Sequence, residues 1–299
     1  KKEMTILSVN NLTKYYGNIC ALSNVSFSVP EGCVFGILGP NGSGKTTLLS
    51  IVTSILKPSS GNYSLFDTEP TDEHRRNMGT LLETPNFYHY LSAVKNLAIA
   101  AAIKGNGENN IDGAIETVGL SHRKNSAFST YSLGMKQRLA IGAALLANPD
   151  VLIFDEPTNG LDPEGIADIR SLIKELAKKG KTIIMASHLL DEVEKVCTHV
   201  AILKQGKLIA SGNVDEIFIT DDIVMVNAEN LSQLKNAATG LPGCQDAKET
   251  NEGLQLYFQS GTVQLAAINS YFFDKGVTLS QLQLKRSSLE NKFFQLTGK

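Results

Sequence analysis

Residues 39–46 read GPNGSGKT, so Gly39, Pro40, Asn41, Gly42, Ser43, Gly44, Lys45 and Thr46 fit the spacing G-x-x-x-x-G-K-[ST], with Thr47 next in line. That spacing suits a phosphate chain. Gly42 and Gly44 let the backbone turn tightly, so that consecutive N–H groups point inward at anionic oxygens. A helix beginning at Lys45 adds the partial positive charge of its N-terminus. Lys45 brings a full charge to the β- and γ-phosphates, and Thr46 brings a hydroxyl suited to Mg²⁺.

A second group of chemical residues ends the apolar run VLIFDE, residues 151–156. Two adjacent carboxylates at a strand end are often merely solvated. With a phosphate loop upstream they gain distinct tasks: Asp155 to hold Mg²⁺, directly or through water, and Glu156 to polarise an attacking water. A third feature is the helix start in TYSLGMKQRLAIG. Ser132 is placed to cap it and Gly134 leaves its first turn bare. Its opening turns carry Lys136 and Arg138 but no carboxylate, although helix N-termini usually attract Asp or Glu.

A phosphate loop alone leaves kinase, GTPase, helicase and transport ATPase open. Guanine specificity calls for N-K-x-D after a later strand, and here that strand ends ASHLLDE. Neither a kinase lid nor an acceptor site is legible.

Strands and helices must position these groups. CVFGILG (33–39), DVLIFDE (150–156) and KTIIMAS (181–187) read as buried strands. A helix is expected from about Lys45 to Leu56 and an amphipathic one over 164–179. VAILKQGKLIASG (200–212) reads as a hairpin with Gln205-Gly206 at its turn. Alternation of helices with hydrophobic strands predicts a mostly parallel α/β sheet. Residues 92–147 are helix-rich and read as an insertion. From residue 220 the character changes: strand 222–227, helix 230–238, strand 243–249, strand 254–258, helix 261–274 and strand 277–284 give βαββαβ, a ferredoxin-like order. A final helix is expected at Ser287, with a capping box to Glu290. This segment carries no chemical motif and suits a regulatory or dimer-supporting role.

Composition agrees with about two globular domains in 299 residues. Lys and Arg total 28 against 30 for Asp and Glu, so no global basic field points to nucleic acid. The longest apolar stretches, such as LAIGAALLA, fall short of the ~20 residues of a membrane span. Cys20, Cys33, Cys197 and Cys244 are scattered without a C-x-x-C pair, as expected of reduced cysteines in a cytosolic protein.

Over residues 5–215 the phosphate loop, YSLGM, the acidic strand end, NGLD and SH occur in the order and spacing of the ATP-binding cassette (ABC) ATPases, which the chain resembles. Within them it is most similar to ATP-binding subunits of bacterial exporters of the bacitracin-resistance and lantibiotic-immunity kind. The fold implied is a P-loop NTPase: a RecA-like core with an antiparallel β subdomain and an inserted helical signature subdomain at about 84–147. Residues 220–299 form the accessory α+β domain.

The resemblance also implies site roles. Tyr16 in KYYG would stack on adenine, with Tyr15 as the alternative. Glu83 stands where the family usually has the glutamine that touches Mg²⁺ and water. YSLGM occupies the position of L-S-G-G-Q, so Ser132 and Gly134 match while Leu133 replaces a glycine; in the family this segment contacts the γ-phosphate held by the opposite subunit. Asp162 in NGLD would run along the dimer seam, and His188 would be the switch histidine that reaches the γ-phosphate. Phe87, Tyr88 and Tyr90 are either subdomain core or a docking surface.

The function implied is an ATPase that uses ATP and Mg²⁺ as a head-to-tail homodimer. It would power export of a peptide antibiotic or similar amphiphile through a separate membrane permease, from the cytoplasmic face. An importer subunit or a soluble, non-transport ATPase of the family are the alternatives.

Overall fold

The computed structural model describes residues 4–82, 85–217, 222–250, 253–259 and 261–286. The chain divides into two compact units, Lys1–Ile217 and Phe218–Lys299.

The first unit opens on a long hairpin of β1 (Thr5–Tyr16) and β2 (Ile19–Pro30). Then come β3 (Val34–Leu38), α1 (Lys45–Val52), β4 (Ser60–Leu65), α2 (Asp72–Arg76) and β5 (Met78–Leu81). A helical stretch follows with α3 (Ala93–Lys104), α4 (Ile111–Thr117) and α5 (Leu133–Leu145). The chain returns through β6 (Val151–Asp155), α6 (Pro163–Lys178), β7 (Thr182–Ser187), α7 (Leu190–Val196), β8 (His199–Lys204), β9 (Lys207–Asn213) and α8 (Val214–Ile217).

Two sheets result. One is antiparallel, in the order β2-β1-β4; the other has the order β5-β6-β7-β3-β8-β9. The larger sheet is parallel except for β9, which pairs with β8 as a hairpin. Strands β3, β6 and β7 are buried at every residue, as strands covered on both faces must be. Their apolar side chains join those of the β1–β2 arm and α1 in one core that includes Phe27, Phe35, Leu48 and Ile153. Phe27 and Phe35 stack at 5.4 Å.

The register of the large sheet builds the site. Asp155 pairs with Ala186, and Leu38 pairs with Ser187, so β6, β7 and β3 end level with one another. Whatever follows those three strands emerges at one carboxyl edge, where open α/β sheets bind ligands.

The second unit consists of β10 (Asp222–Asn227), α9 (Leu231–Ala238), β11 (Cys244–Thr250), β12 (Gly253–Phe258), α10 (Leu265–Asp274) and β13 (Gln281–Arg286). The element order is βαββαβ and the sheet order β11-β12-β10-β13, each pair antiparallel. Alternate residues Val224, Val226, Leu254 and Leu256 pack against Leu234, Ala238, Ile268 and Phe272 of the two helices.

Several boundaries differ from the sequence reading, each for a local reason. Helix α1 stops at Val52 because Ser54 is left-handed (φ 65°), and the Thr53 hydroxyl returns to the Leu49 carbonyl at 2.8 Å. Helix α10 starts at Leu265, not 261, since Gly261 is left-handed and its N–H donates to Asp222 at 2.8 Å. Strand β13 starts at 281, not 277: Val277 instead plugs the core after a left-handed Gly276. The helix expected at Ser287 lies outside the described residues.

Candidate functional site

The loop between β3 and α1 is folded by its glycines. Gly42 (φ 78°) and Gly44 (φ 104°) are left-handed, and Gly44 is the residue from which α1 starts. A Cβ on Gly44 would lie 2.6 Å from the Ala21 carbonyl oxygen, and one on Gly39 would lie 2.3 Å from that of Leu203. No acidic residue occupies the first turn of α1. Ser43 is buried and its Oγ has no hydrogen-bond partner among the described residues. A buried hydroxyl left over in a ring of backbone N–H groups, at a helix N-terminus, fits an anion.

Lys45 is 5 % exposed, and its Nζ donates to the Gly39 carbonyl at 2.8 Å. The same ammonium stands 3.2 Å from Oε1 of Glu156. The other carboxylate oxygen, Oε2, lies 2.8 Å from Nδ1 of His188 and accepts from the His188 backbone N–H at 3.4 Å. Glu156 itself is left-handed (φ 49°), a conformation a non-glycine residue keeps only when its surroundings hold it. Its backbone N–H donates to Ala186 at 3.1 Å, which carries β6 across the tip of β7 before the chain turns. Lys45, Glu156 and His188 thus form a continuous chain of contacts over the carboxyl ends of β3, β6 and β7.

A cavity of about 530 Å³ opens beside this chain, lined by residues 41–47, Glu156, Ile19–Ala21 of the β1–β2 arm and Gln205. That volume is ordinary for a small-molecule site. A neighbouring cavity of about 330 Å³ brings together Thr46, Asp155, Glu156, Gln137, Asn159 and Leu133. A hydroxyl and a buried carboxylate are hard oxygen donors of the kind Mg²⁺ prefers, so these residues fit that ion.

Ser132 and Gly134 line neither of these cavities. They face a third cleft of about 390 Å³ with Leu133, Arg138, residues 160–162 and Asp168. Ser132 is the N-cap of α5, its Oγ accepting from Met135 N–H at 3.3 Å. Of the basic residues after it, Lys136 lies over the Phe128 ring, while Arg138 stays in the cleft and faces Asp168 at 3.5 Å. Asp162 caps α6 by accepting from Gly165 N–H at 3.0 Å. Leu133 reaches both sides, lining the second cavity as well as this cleft.

The β3 loop, Asp155, Glu156 and His188 therefore meet, while Ser132, Gly134 and Asp162 form a separate cluster. Tyr16 is exposed and sits under Lys14, outside the lining of the large cavity, although its strand partner Ile19 is inside it. Glu83 lies outside the described residues. Gln205, Cys20, Gln137 and Asn159 are cavity residues to which the sequence analysis gave no site role. The Gln205-Gly206 turn was legible as a hairpin turn, and nothing in its spelling says that it folds onto Ser43. Of the aromatics after residue 84, Phe87 packs edge-on to Phe128, whereas Tyr88 and Tyr90 are exposed. The buried amide of Asn96 grips their loop, bonding both N–H and carbonyl of Tyr88.

The four cysteines are free. Burial pushes the Cys33 thiol up to about 12 and raises that of Cys197 further, with the nearby Cys33 and Glu192 charges adding to it.

The phosphate-loop segment lies within residues 22–159, which match a family model described as ABC transporter. Over 98 % of its length the chain is 37 % identical to the bacitracin transport ATP-binding protein BcrA of Bacillus licheniformis, 98 % of which is covered. The chain belongs to the ABC transporter ATP-binding family. It is also 37 % identical to the lantibiotic transport ATP-binding protein SrtF of Streptococcus pyogenes, over 71 % of this chain and 96 % of that one. Among solved structures, the dimeric bacterial ABC transporter cassette MJ0796 aligns with a TM-score of 0.62 and 27 % identity, covering 70 % of this chain and 99 % of that one. The first unit is accordingly an ATP-binding ABC cassette. Among the described residues no helix is long and apolar enough to cross a membrane.

Proposed function

We propose that the chain is the ATP-hydrolysing subunit of an exporter and works as a head-to-tail homodimer that drives a separate membrane permease from the cytoplasmic face. The observation that carries this reading is the contact chain Lys45–Glu156–His188 at the mouth of the phosphate loop. A γ-phosphate oxygen competes with Glu156 for Lys45. Once displaced, the Glu156 carboxylate keeps its bond to His188 and is free to take a proton from water. His188 holds that carboxylate in place and stands where it can meet the γ-phosphate itself. Residues 39–47 enclose the phosphates, and Tyr16 stacks on the base. Thr46 and Asp155, with Glu83, would hold Mg²⁺, which when bound supplies charge neutralisation at the β- and γ-oxygens.

In the dimer, Ser132, Leu133 and Gly134 of one copy face the nucleotide of the other, and Asp162 lies on the seam. The geometry supports this: Ser132 and Gly134, at an α5 N-terminus without a carboxylate in its first turn, line a cleft separate from the cavity of their own phosphate loop. Exposed Tyr88 and Tyr90, on a loop fixed by Asn96, suit a docking surface for cytoplasmic helices of the permease. Residues 5–215 act as the cassette, and residues 220–299 as an accessory unit. The cargo class, a peptide antibiotic or comparable amphiphile, follows the bacitracin and lantibiotic transport proteins to which the chain is similar.

The test is reconstitution. Co-expressed with its permease, the chain is expected to sediment with membranes and to hydrolyse ATP faster when bacitracin or a lantibiotic is added. Hydrolysis in membranes that no such peptide stimulates would remove the cargo assignment.

A further inference from the structure

We propose that Gln205 is a nucleotide-contact residue whose side-chain amide donates to the diphosphate shared by ATP and ADP; this rests on the reading of the large cavity as the ATP site. Gln205 and Gly206 form the two-residue turn between β8 and β9, and both are left-handed, with φ of 48° and 75°. Such turns favour Asn, Asp or Gly at the first position, because a longer side chain gains nothing locally from a positive φ. Glutamine is therefore held there against its backbone preference.

The turn is also fixed in place. The Gly206 N–H donates to the Ser43 carbonyl at 3.0 Å, and its own carbonyl accepts from Ser23 N–H at 2.8 Å. A Cβ on Gly206 would lie 2.6 Å from the Ala21 carbonyl oxygen, so the turn is wedged between the phosphate loop and β2. Gln205, next to Gly206 in this turn, lines the 530 Å³ cavity. Asn41, Gly42 and Ala21 line the same cavity. Among the described residues its exposed amide has no hydrogen-bond partner. A neutral donor beside the middle of the phosphate loop suits the oxygens of a diphosphate. The γ-phosphate is already served by Lys45, Glu156 and His188.

Two variants separate this role from a structural one. Gln205→Gly relieves the left-handed strain and is expected to melt at or above the wild-type temperature. Gln205→Glu keeps size and reach but sets a carboxylate against the phosphates. Affinities for ATP and ADP are measured by titration calorimetry. Gln205→Gly is expected to weaken both nucleotides alike, by about tenfold, the low end for a hydrogen bond to a charged group. Gln205→Glu is expected to weaken both by more than Gln205→Gly does. Wild-type affinities in either variant would overturn the inference, as would a loss confined to ATP. Wild-type protein that binds neither nucleotide would overturn the ATP reading beneath it, so the two failures are distinguishable.

Discussion

Glu156 holds Lys45 with one carboxylate oxygen at 3.2 Å and His188 with the other at 2.8 Å. Three residues 143 positions apart in sequence at their extremes (188 − 45) become neighbours because β3, β7 and β6 lie side by side and end level. The relationship makes Glu156 a shared partner: any ligand that claims Lys45 releases the carboxylate without breaking its bond to the histidine.

A buried ion pair ties α6 to α7. Arg170 meets Glu192 at 2.7 Å and Asp191 at 3.2 Å, and Glu192 is 3 % exposed. Helix α7 begins two residues after His188. Replacing Glu192 with alanine leaves the guanidinium half-buried and facing only Asp191. The expected destabilisation is about 3 kcal/mol, at the low end for breaking a buried pair. Thermal melting should fall by roughly 6–12 °C for a chain of this size. A melt within about 1 °C of wild type would mean that the pair contributes little.

Alkaline stability follows from the thiols. The ordinary value is 9.0, and burial raises both Cys33, to about 12, and Cys197. Folded-state values above the unfolded ones mean that the associated stability is complete below pH 9 and drains as pH rises toward the folded values. Each thiol adds a slope of about 1.4 kcal/mol per pH unit in that window. Urea unfolding at pH 8, 9.5 and 11 should show a shallower decline for Cys33→Ala than for wild type. Parallel declines would contradict the assignment.

The separation of the Ser132 cluster from its own phosphate loop predicts complementation. Lys45→Ala and Ser132→Arg chains should each be inactive alone. Mixed, they form dimers in which one composite site carries both lesions and the other carries neither. Partial recovery of ATP hydrolysis, measured by phosphate release, is expected. No recovery at any mixing ratio would count against a site shared between two copies.

Tyr88 and Tyr90 should matter only when the permease is present. Alanine at both positions is expected to leave hydrolysis by the isolated chain near wild type and to abolish co-isolation with the permease from detergent extracts. Retained co-isolation would place the docking surface elsewhere.

Much of this was legible in the sequence because its signals are local. GPNGSGKT needs left-handed glycines and a following helix, and Gly42, Gly44 and α1 supply them. Buried strands read as unbroken apolar runs, and βαββαβ read from alternation appears in the second unit in that order. What stayed hidden depends on long-range pairing. The salt bridge between Lys45 and Glu156 requires knowing that β7 lies between their strands. The turn at Gln205 reads as part of a hairpin, but only the parallel pairing of β8 with β3 brings it against Ser43. The missing carboxylate at α5 was visible, but not that Lys136 lies over Phe128 while Arg138 pairs with Asp168 inside the Ser132 cleft. Phe87 and Tyr88 look alike in sequence; one packs on Phe128 and the other is exposed, because Asn96 fixes the loop between them and α3.

The most direct test of the central claim is Glu156→Gln with Mg²⁺ and ATP, followed by phosphate release and light scattering on the same sample. Glutamine keeps the size of the side chain and a hydrogen-bond acceptor for His188 but removes the base. The account predicts that turnover falls by at least ~10²-fold, the usual worth of a general base, while ATP still binds and the chain accumulates as a dimer. Turnover at the wild-type rate would contradict it.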